Sequence, residues 1–367
     1  MCAAAVFAVT AYVAPKVFAQ TDVSEADELF DRGDPKSLKR AAKKYDAAIR
    51  KDPRGVPAGV YGKRAAIYVL LKQIDAGLQW VDTVALKQYP DAPEILEYKA
   101  LMLWQLGRRD EAIAIADRVA KAKPDAFQVQ LLRGNYYYGR DPAKAADAFE
   151  AYLKYRPASL ADGDALPRLK LGIEYLRRGD ADAAEKHFEI VSKQFRRNPR
   201  WLLNANNGLC AAYTRNRKFD RAITLCERIV ENPKQIDRTG AVWFNLGQAY
   251  LHMRQPRKAR QAGQEFLRFQ PNKAKGYVLV GDAYFEERNF EEALRYYRQA
   301  EERAGSDAGL LKRLGKVYRA LGQPKLALPK LVAAAAANPD SVDLALELGE
   351  TYLHPDIRED DKALAAV

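Results

Sequence analysis

The chain has 367 residues, of which 48% are hydrophobic, 29% charged and 10% aromatic, and its formal net charge at pH 7 is +12. So long a chain would strain a single globular core, whereas stacked units that bury surface only between neighbours meet no such limit. Strand-like alternation, Gly- or Ser-rich linkers and low-complexity tracts are absent from the sequence, which argues against β-rich, multidomain-linker and disordered classes. Residues 3–14 are almost wholly apolar, and Val17, Phe18 and Ala19 follow with small residues where a signal peptidase reads. Residues 1–19 therefore resemble a secretory signal peptide cut after Ala19, which predicts an exported protein in the periplasm or at the outer membrane. No Lys or Arg precedes the apolar run, so an irregular cytoplasmic N-terminus is the alternative; the run is too short for a stable bilayer anchor.

From residue 20 onward the chain reads as one continuous array of helix pairs, expected to end near residues 53, 90, 124, 157, 197, 234, 272, 306 and 340, with a partial unit over 341–367. The first pair opens with a weak, polar helix around Ser24 to Asp31, with Ser24 as N-cap and Asp27 three residues on, and closes with Ala41, Tyr45, Ala48 and Pro53. The second centres on Ala66, with Leu78 where the pattern wants alanine, and the third carries Leu96, Ala100, Leu103, Gly107, Ala112 and Pro124. The fourth has Gly134, Tyr137, Ala145, Phe149 and Pro157, with an inter-helix turn one residue short and an insert over 158–165. The fifth reads Leu171, Gly172, Tyr175, Gly179, Ala184 and Phe188, and the sixth Leu209, Cys210, Tyr213, Ala222, Cys226 and Ile229.

The repetition is clearest in the next three units. Gly247, Gly281, Gly315 and Gly349 stand 34 residues apart, each followed by a tyrosine (Tyr250, Tyr284, Tyr318, Tyr352), and the first three are followed twelve residues on by Ala259, Ala293 and Ala327. Trp243, Leu246, Gly247 and Tyr250 follow i, i+3, i+4, i+7 and so share one helix face. A second helix from near Pro256 presents Ala259, Gly263 and Phe266 in the same way, and Pro271 stops it. Small residues at Gly247 and Ala259 predict a close backbone approach, and a larger side chain at Gly281 is expected to overpack the crossing at a cost of roughly 1 to 3 kcal/mol. A fixed period of this length marks a helical repeat. The pattern of aromatic or leucine, two spacers, apolar, Gly, two spacers, Tyr, completed by Pro271 or Pro339, resembles the tetratricopeptide repeat. The resemblance implies an all-α fold, a right-handed α-solenoid of about nine to ten helix pairs that binds other proteins. Val367 arrives as the second helix of the tenth unit begins, so the natural chain is expected to continue past it, the alternative being a last helix left as a cap.

Catalytic signatures are missing. His187, His252 and His354 are isolated from one another and from acids at ligand spacing, and no HExxH, CxxC, phosphate loop or nucleophile elbow occurs. The expectation is a non-enzymatic protein with no cofactor and no metal site. Asp162, Gly163 and Asp164 in the insert resemble the opening of a calcium loop but lack its later oxygen ligands, so a longer surface loop is preferred. For Cys210 and Cys226, at facing positions of one unit, two readings stay open. One is a disulfide contributing about 3 kcal/mol by chain entropy, the other a pair of free thiols packed as small apolar groups.

In the resembled family the first helix of each unit lines a concave face. Carried onto this sequence, that implies a partner-binding groove containing Trp104, Tyr138, Leu176, Phe244, Asn245, Phe285, Lys312, Arg313, Lys316 and Arg319, with Lys63, Glu97 and Asn135 at equivalent positions. A partly exposed apolar row rimmed by polar groups suits a partner helix or extended segment; packing inside the repeat is the plainer account. Some members grip a terminal carboxylate with five residues, but here only Asn245 and Lys275 match, while Asn207, Ala211 and Leu279 depart, so that mechanism is not expected.

Residues 191–275 hold 18 Lys and Arg against 5 Asp and Glu, a net of +13 that exceeds the charge of the whole chain. For an exported chain the counterparts are an acidic protein, an anionic lipid headgroup or a cell-wall polymer; a solvated convex face is the alternative. Nucleic acid is disfavoured because no aromatic-rich binding motif accompanies the charge. The functional expectation is a scaffold or adaptor in a bacterial cell-envelope assembly, whether outer-membrane, motility or secretion machinery, that binds protein partners. The competing expectation is a regulatory or substrate-recruiting repeat region of a longer enzyme continuing after Val367.

Overall fold

The computed structural model describes residues 20–232, 239–305 and 307–366, so the signal-peptide reading of residues 1–19 falls outside it. Every regular element among the described residues is a helix. The chain forms two compact units, the first ending at His187 and the second beginning at Phe188.

The first unit contains α1 (Gln20–Arg32), α2 (Pro35–Lys51), α3 (Ala58–Leu70) and α4 (Ile74–Trp80), the last running through a π turn into α5 (Leu86–Gln88). Then come α6 (Pro93–Gln105), α7 (Arg109–Ala122), α8 (Phe127–Tyr137), α9 (Pro142–Tyr155), α10 (Ala165–Arg178) and α11 (Ala181–Gln194), which crosses the boundary at His187. Helices start where proline at the first position meets a side-chain cap: Asp34 accepts from the Lys36 and Ser37 amides ahead of Pro35, and Asp141 from the Lys144 amide ahead of Pro142. Pairs such as α1–α2, α6–α7 and α8–α9 pack on each other and then on the next pair.

Two expectations need correcting here. Ser24 is not an N-cap, because it lies inside α1, and Asp27 serves α2 and α3 instead: it accepts from the Tyr45 hydroxyl at 2.5 Å and pairs with Lys63 at 2.8 Å. The insert is not a free loop. Residues Ala158–Gly163 form a 3₁₀ helix, and Asp164 behind it is 1% exposed and held by the Arg156 guanidinium. Arg168 lies on its other side at 3.5 Å. A carboxylate buried this deeply needs such partners, and they leave it no freedom to ligate a cation.

The second unit continues from Phe188 with α12 (Pro199–Arg215), α13 (Phe219–Val230), α14 (Ala241–His252), α15 (Pro256–Phe269), α16 (Ala274–Glu286) and α17 (Phe290–Ala304). It ends with α18 (Ala308–Ala320), α19 (Pro324–Ala337), α20 (Val342–Tyr352) and α21 (Asp360–Ala366). The glycine register explains how each pair closes. A Cβ on Gly281 would stand 2.6 Å from the Tyr297 ring, and one on Gly315 would stand 2.5 Å from Leu331. In both, the large residue lies sixteen positions on; in the fourth repeat, where the turn is one residue short, Gly134 meets Phe149 at fifteen. At Gly247 the facing position is Gly263, and the next repeat fills the gap with Leu279, 2.7 Å from a Cβ on Gly247, and Val280.

Candidate partner-binding cleft

First helices stand side by side in the second unit: α12 packs on α14, α14 on α16, and α18 on α20. Their second helices lie behind them, so one face of the first-helix row is left uncovered. An open cleft of about 1060 Å³ runs along that face, with Phe244, Leu251, Val278, Leu279, Phe285 and Leu310 as its apolar floor. A smaller cleft shares Arg217, Phe244, Gln248, His252 and Lys275 with it and adds Asn245, Phe219 and Thr214.

Six of the expected groove residues meet here: Phe244, Asn245, Phe285, Lys312, Arg313 and Lys316. Phe244 packs on Phe266 at 5.3 Å between centroids, and Phe285 on Phe290 at the same distance. Each of Phe244 and Phe285 is nonetheless only partly buried and lines the cleft. The cations toward α18 are neutralised by neighbouring helices. Arg313 donates to both Asp282 oxygens at 2.7 and 3.0 Å, Lys316 pairs with Glu347 at 2.7 Å, and Lys312 contacts Asp343. Asp282 also accepts from Tyr297 at 2.8 Å, and burial raises that phenol well above its ordinary pKa. Arg319 does not line the cleft; it bridges Glu347 and Glu350 at 2.5 and 2.6 Å. The basic quartet on α18 thus ties α18 to α16 and α20.

Trp104, Tyr138 and Leu176 lie in the first unit, each partly buried. Tyr138 is flanked by Lys170 at 5.1 Å and Arg177 at 5.3 Å, a cation–π arrangement, and burial raises its pKa. Trp104 carries Arg109 at 5.5 Å. Glu97, expected on the concave face, is instead buried at 4% exposure and paired with Lys123 at 2.9 Å, and desolvation raises its pKa. Asn135 accepts from Lys170 at 2.5 Å.

Sequence reasoning missed Arg217, Gln248, His252 and Asp282. Arg217 carried a signal that went unused. It occupies the turn between the two helices of its repeat, the place held elsewhere by Gly107, Gly179 and Gly322 or by Lys72, Arg254 and Arg288. Its φ is +57°, a left-handed conformation that costs a non-glycine residue about 1 kcal/mol. Cys210 and Cys226 are fully buried with Cα atoms 5.9 Å apart, inside the range that a disulfide bridges. Among the described residues no group of three or more His, Cys, Asp or Glu is placed to hold a metal ion, and no helix is long and apolar enough to cross a membrane.

Among solved structures the chain is similar to TTC0263, a thermophilic TPR protein of Thermus thermophilus, at 19% identity and a TM-score of 0.43, over 52% of this chain and 99% of that one. It is also similar to MamA from residue 41 to the end, from Desulfovibrio magneticus RS-1, at 17% identity and a TM-score of 0.40, over 48% of this chain and 98% of that one. No curated protein matches the chain. The tetratricopeptide repeat family matches residues 83–127, 169–235, 210–274, 244–309, 279–328 and 312–366. With its paired helices and its 34-residue glycine register, the chain belongs to the tetratricopeptide repeat family.

Proposed function

We propose that the protein is a non-enzymatic scaffold of a bacterial cell-envelope assembly, and that the cleft of its second unit holds an extended or helical segment of a partner protein. The observation that carries this reading is the cleft itself: an apolar floor centred on Phe244 and Phe285, open to solvent and rimmed by charged groups. Such a surface is uncovered apolar area with polar edges, the composition that peptide-binding grooves use. The envelope location rests on residues 1–19 alone.

Photo-crosslinking in cells tests the role, with a probe replacing Phe244 in the cleft and, separately, Tyr138 in the first unit. A discrete envelope protein captured from Phe244 supports the scaffold. Capture of cytoplasmic proteins only would sink the envelope role. Fusing residues 1–30 to a phosphatase that is active only when exported checks the location independently, and an inactive fusion removes it.

A further inference from the structure

Charge is not spread evenly along the cleft. Toward α18 every cation is matched: Arg313 by Asp282, Lys316 by Glu347, Lys312 by Asp343, and on the near wall Arg254 by Glu286 at 2.8 Å. At the α12–α14 end the pattern breaks. Lys275 stands over the rings of Phe244 at 4.4 Å and Phe266 at 5.1 Å with no carboxylate partner among the described residues. Desolvation by its surroundings, helped by Lys273, pulls its pKa below the usual lysine range. Arg217 lines the same end, exposed, and likewise has no carboxylate partner among the described residues. His252 sits with them, stacked on Phe219 at 4.5 Å.

The turn that carries Arg217 requires a left-handed residue, which glycine supplies at Gly107, Gly179 and Gly322 and a basic residue supplies at Lys72, Arg254 and Arg288. Retaining arginine there keeps a backbone cost in place while delivering a guanidinium to the cleft.

We propose that this end of the cleft binds an acidic side chain of the partner segment, its carboxylate received by Arg217 and Lys275 while a neighbouring apolar side chain rests on Phe244 and Phe285. The proposal rests on the peptide-binding reading of the cleft and adds the chemistry of the occupant. An Asp or Glu fits because two cations with no carboxylate partner among the described residues line the same end of the cleft beside an apolar floor, and a guanidinium can hold both oxygens of a carboxylate. The apolar floor favours a polypeptide over a nucleic acid, whose backbone would bring charge without apolar contact. The carboxylate belongs to a side chain, so a free C-terminus is not required.

The test selects displayed random peptides on the full chain and measures the enriched sequences by calorimetry as C-terminally amidated peptides. The expected motif has Asp or Glu beside an aromatic or aliphatic residue. Arg217→Gly and Lys275→Gln should each weaken binding at least about tenfold, the scale of a lost charged hydrogen bond. Arg217→Gly should melt no lower than the parent, because glycine suits the turn, which separates lost binding from lost folding. Arg288→Gly, at the equivalent turn outside the cleft, should leave binding unchanged.

Enriched peptides that depend on Phe244 but lack an acidic residue, or ignore both Arg217→Gly and Lys275→Gln, would overturn this proposal and leave the peptide-binding reading standing. Loss of binding on amidation, or displacement of the peptide by a single-stranded oligonucleotide that itself requires Arg217, would also overturn it. Absence of any enrichment, or enrichment indifferent to Phe244→Ala, would remove the peptide-binding reading and this proposal together.

Discussion

Gly281 and His187 show how much a single position decides. The 2.6 Å approach of the Tyr297 ring to a Cβ at Gly281 concerns a ring that is 2% exposed and bonded through its hydroxyl to Asp282, so it has little room to retreat. Gly281→Ala is expected to destabilise the second unit by about 1 to 3 kcal/mol in urea unfolding, even though alanine is the better helix former. A neutral or stabilising result would mean that Tyr297 can move. His187 stacks on Tyr175 at 5.6 Å, its Nδ1 is buried with no hydrogen-bond partner among the described residues, and burial with Arg168 and Lys186 nearby lowers its pKa from 6.5 to about 4. A group depressed in the folded state takes up protons more readily when unfolded. Stability is therefore intact above the unfolded pKa and falls as pH drops through the window from 6.5 to 4, by up to about 3 kcal/mol. His187→Phe keeps the stacking and should flatten that slope in unfolding midpoints measured at pH 7 and 4.5; an unchanged slope would place the titration elsewhere.

At the scale of the element, the helix pair is closed by one crossing and one turn. The crossing joins a first-helix position to the residue sixteen on: Gly281 to Tyr297, Gly315 to Leu331, and Cys210 to Cys226. The two cysteines thus occupy the point where the repeat brings its helices closest, which explains a Cα separation of 5.9 Å that sequence spacing alone did not supply. If they are oxidised, the bridge closes a short loop and contributes about 3 kcal/mol. Thiol titration of the unfolded protein before and after reduction decides the state. An oxidised pair should lose about that amount of stability on reduction, and a reduced pair should show no change. The turn needs a left-handed residue, which Lys72, Arg217, Arg254 and Arg288 supply at a cost where other repeats use glycine.

At the scale of the molecule, each pair in the second unit packs on its neighbours, so stability is close to a sum of pair and interface contributions. Around α20 and α21, Val342, Leu353 and Leu364 are 73%, 59% and 84% exposed. Amide exchange should accordingly be fastest in α20 and α21 and slowest in α14 to α17. Uniform protection across these helices would instead mean that the unit unfolds as a single block.

Periodicity alone established the helical class, the pairing and the positions of closest approach, because a 34-residue repeat of small and aromatic residues can satisfy itself only by stacking helix on helix. The expectation of Phe244, Asn245 and Phe285 on an exposed face came instead from the resemblance to the tetratricopeptide repeat, whose first helices line one face. Periodicity could not say which charges are spent. Lys312, Arg313, Lys316 and Arg319 look like a ligand-binding row in sequence, yet each is matched by an acid on an adjacent helix: Asp343, Asp282 or Glu347. Arg217 and Lys275, separated from each other by a whole repeat, line one cleft and have no carboxylate partner among the described residues. The partner of a long charged side chain is chosen by which helices pack together, so only the tertiary structure decided where charge remains available for another molecule.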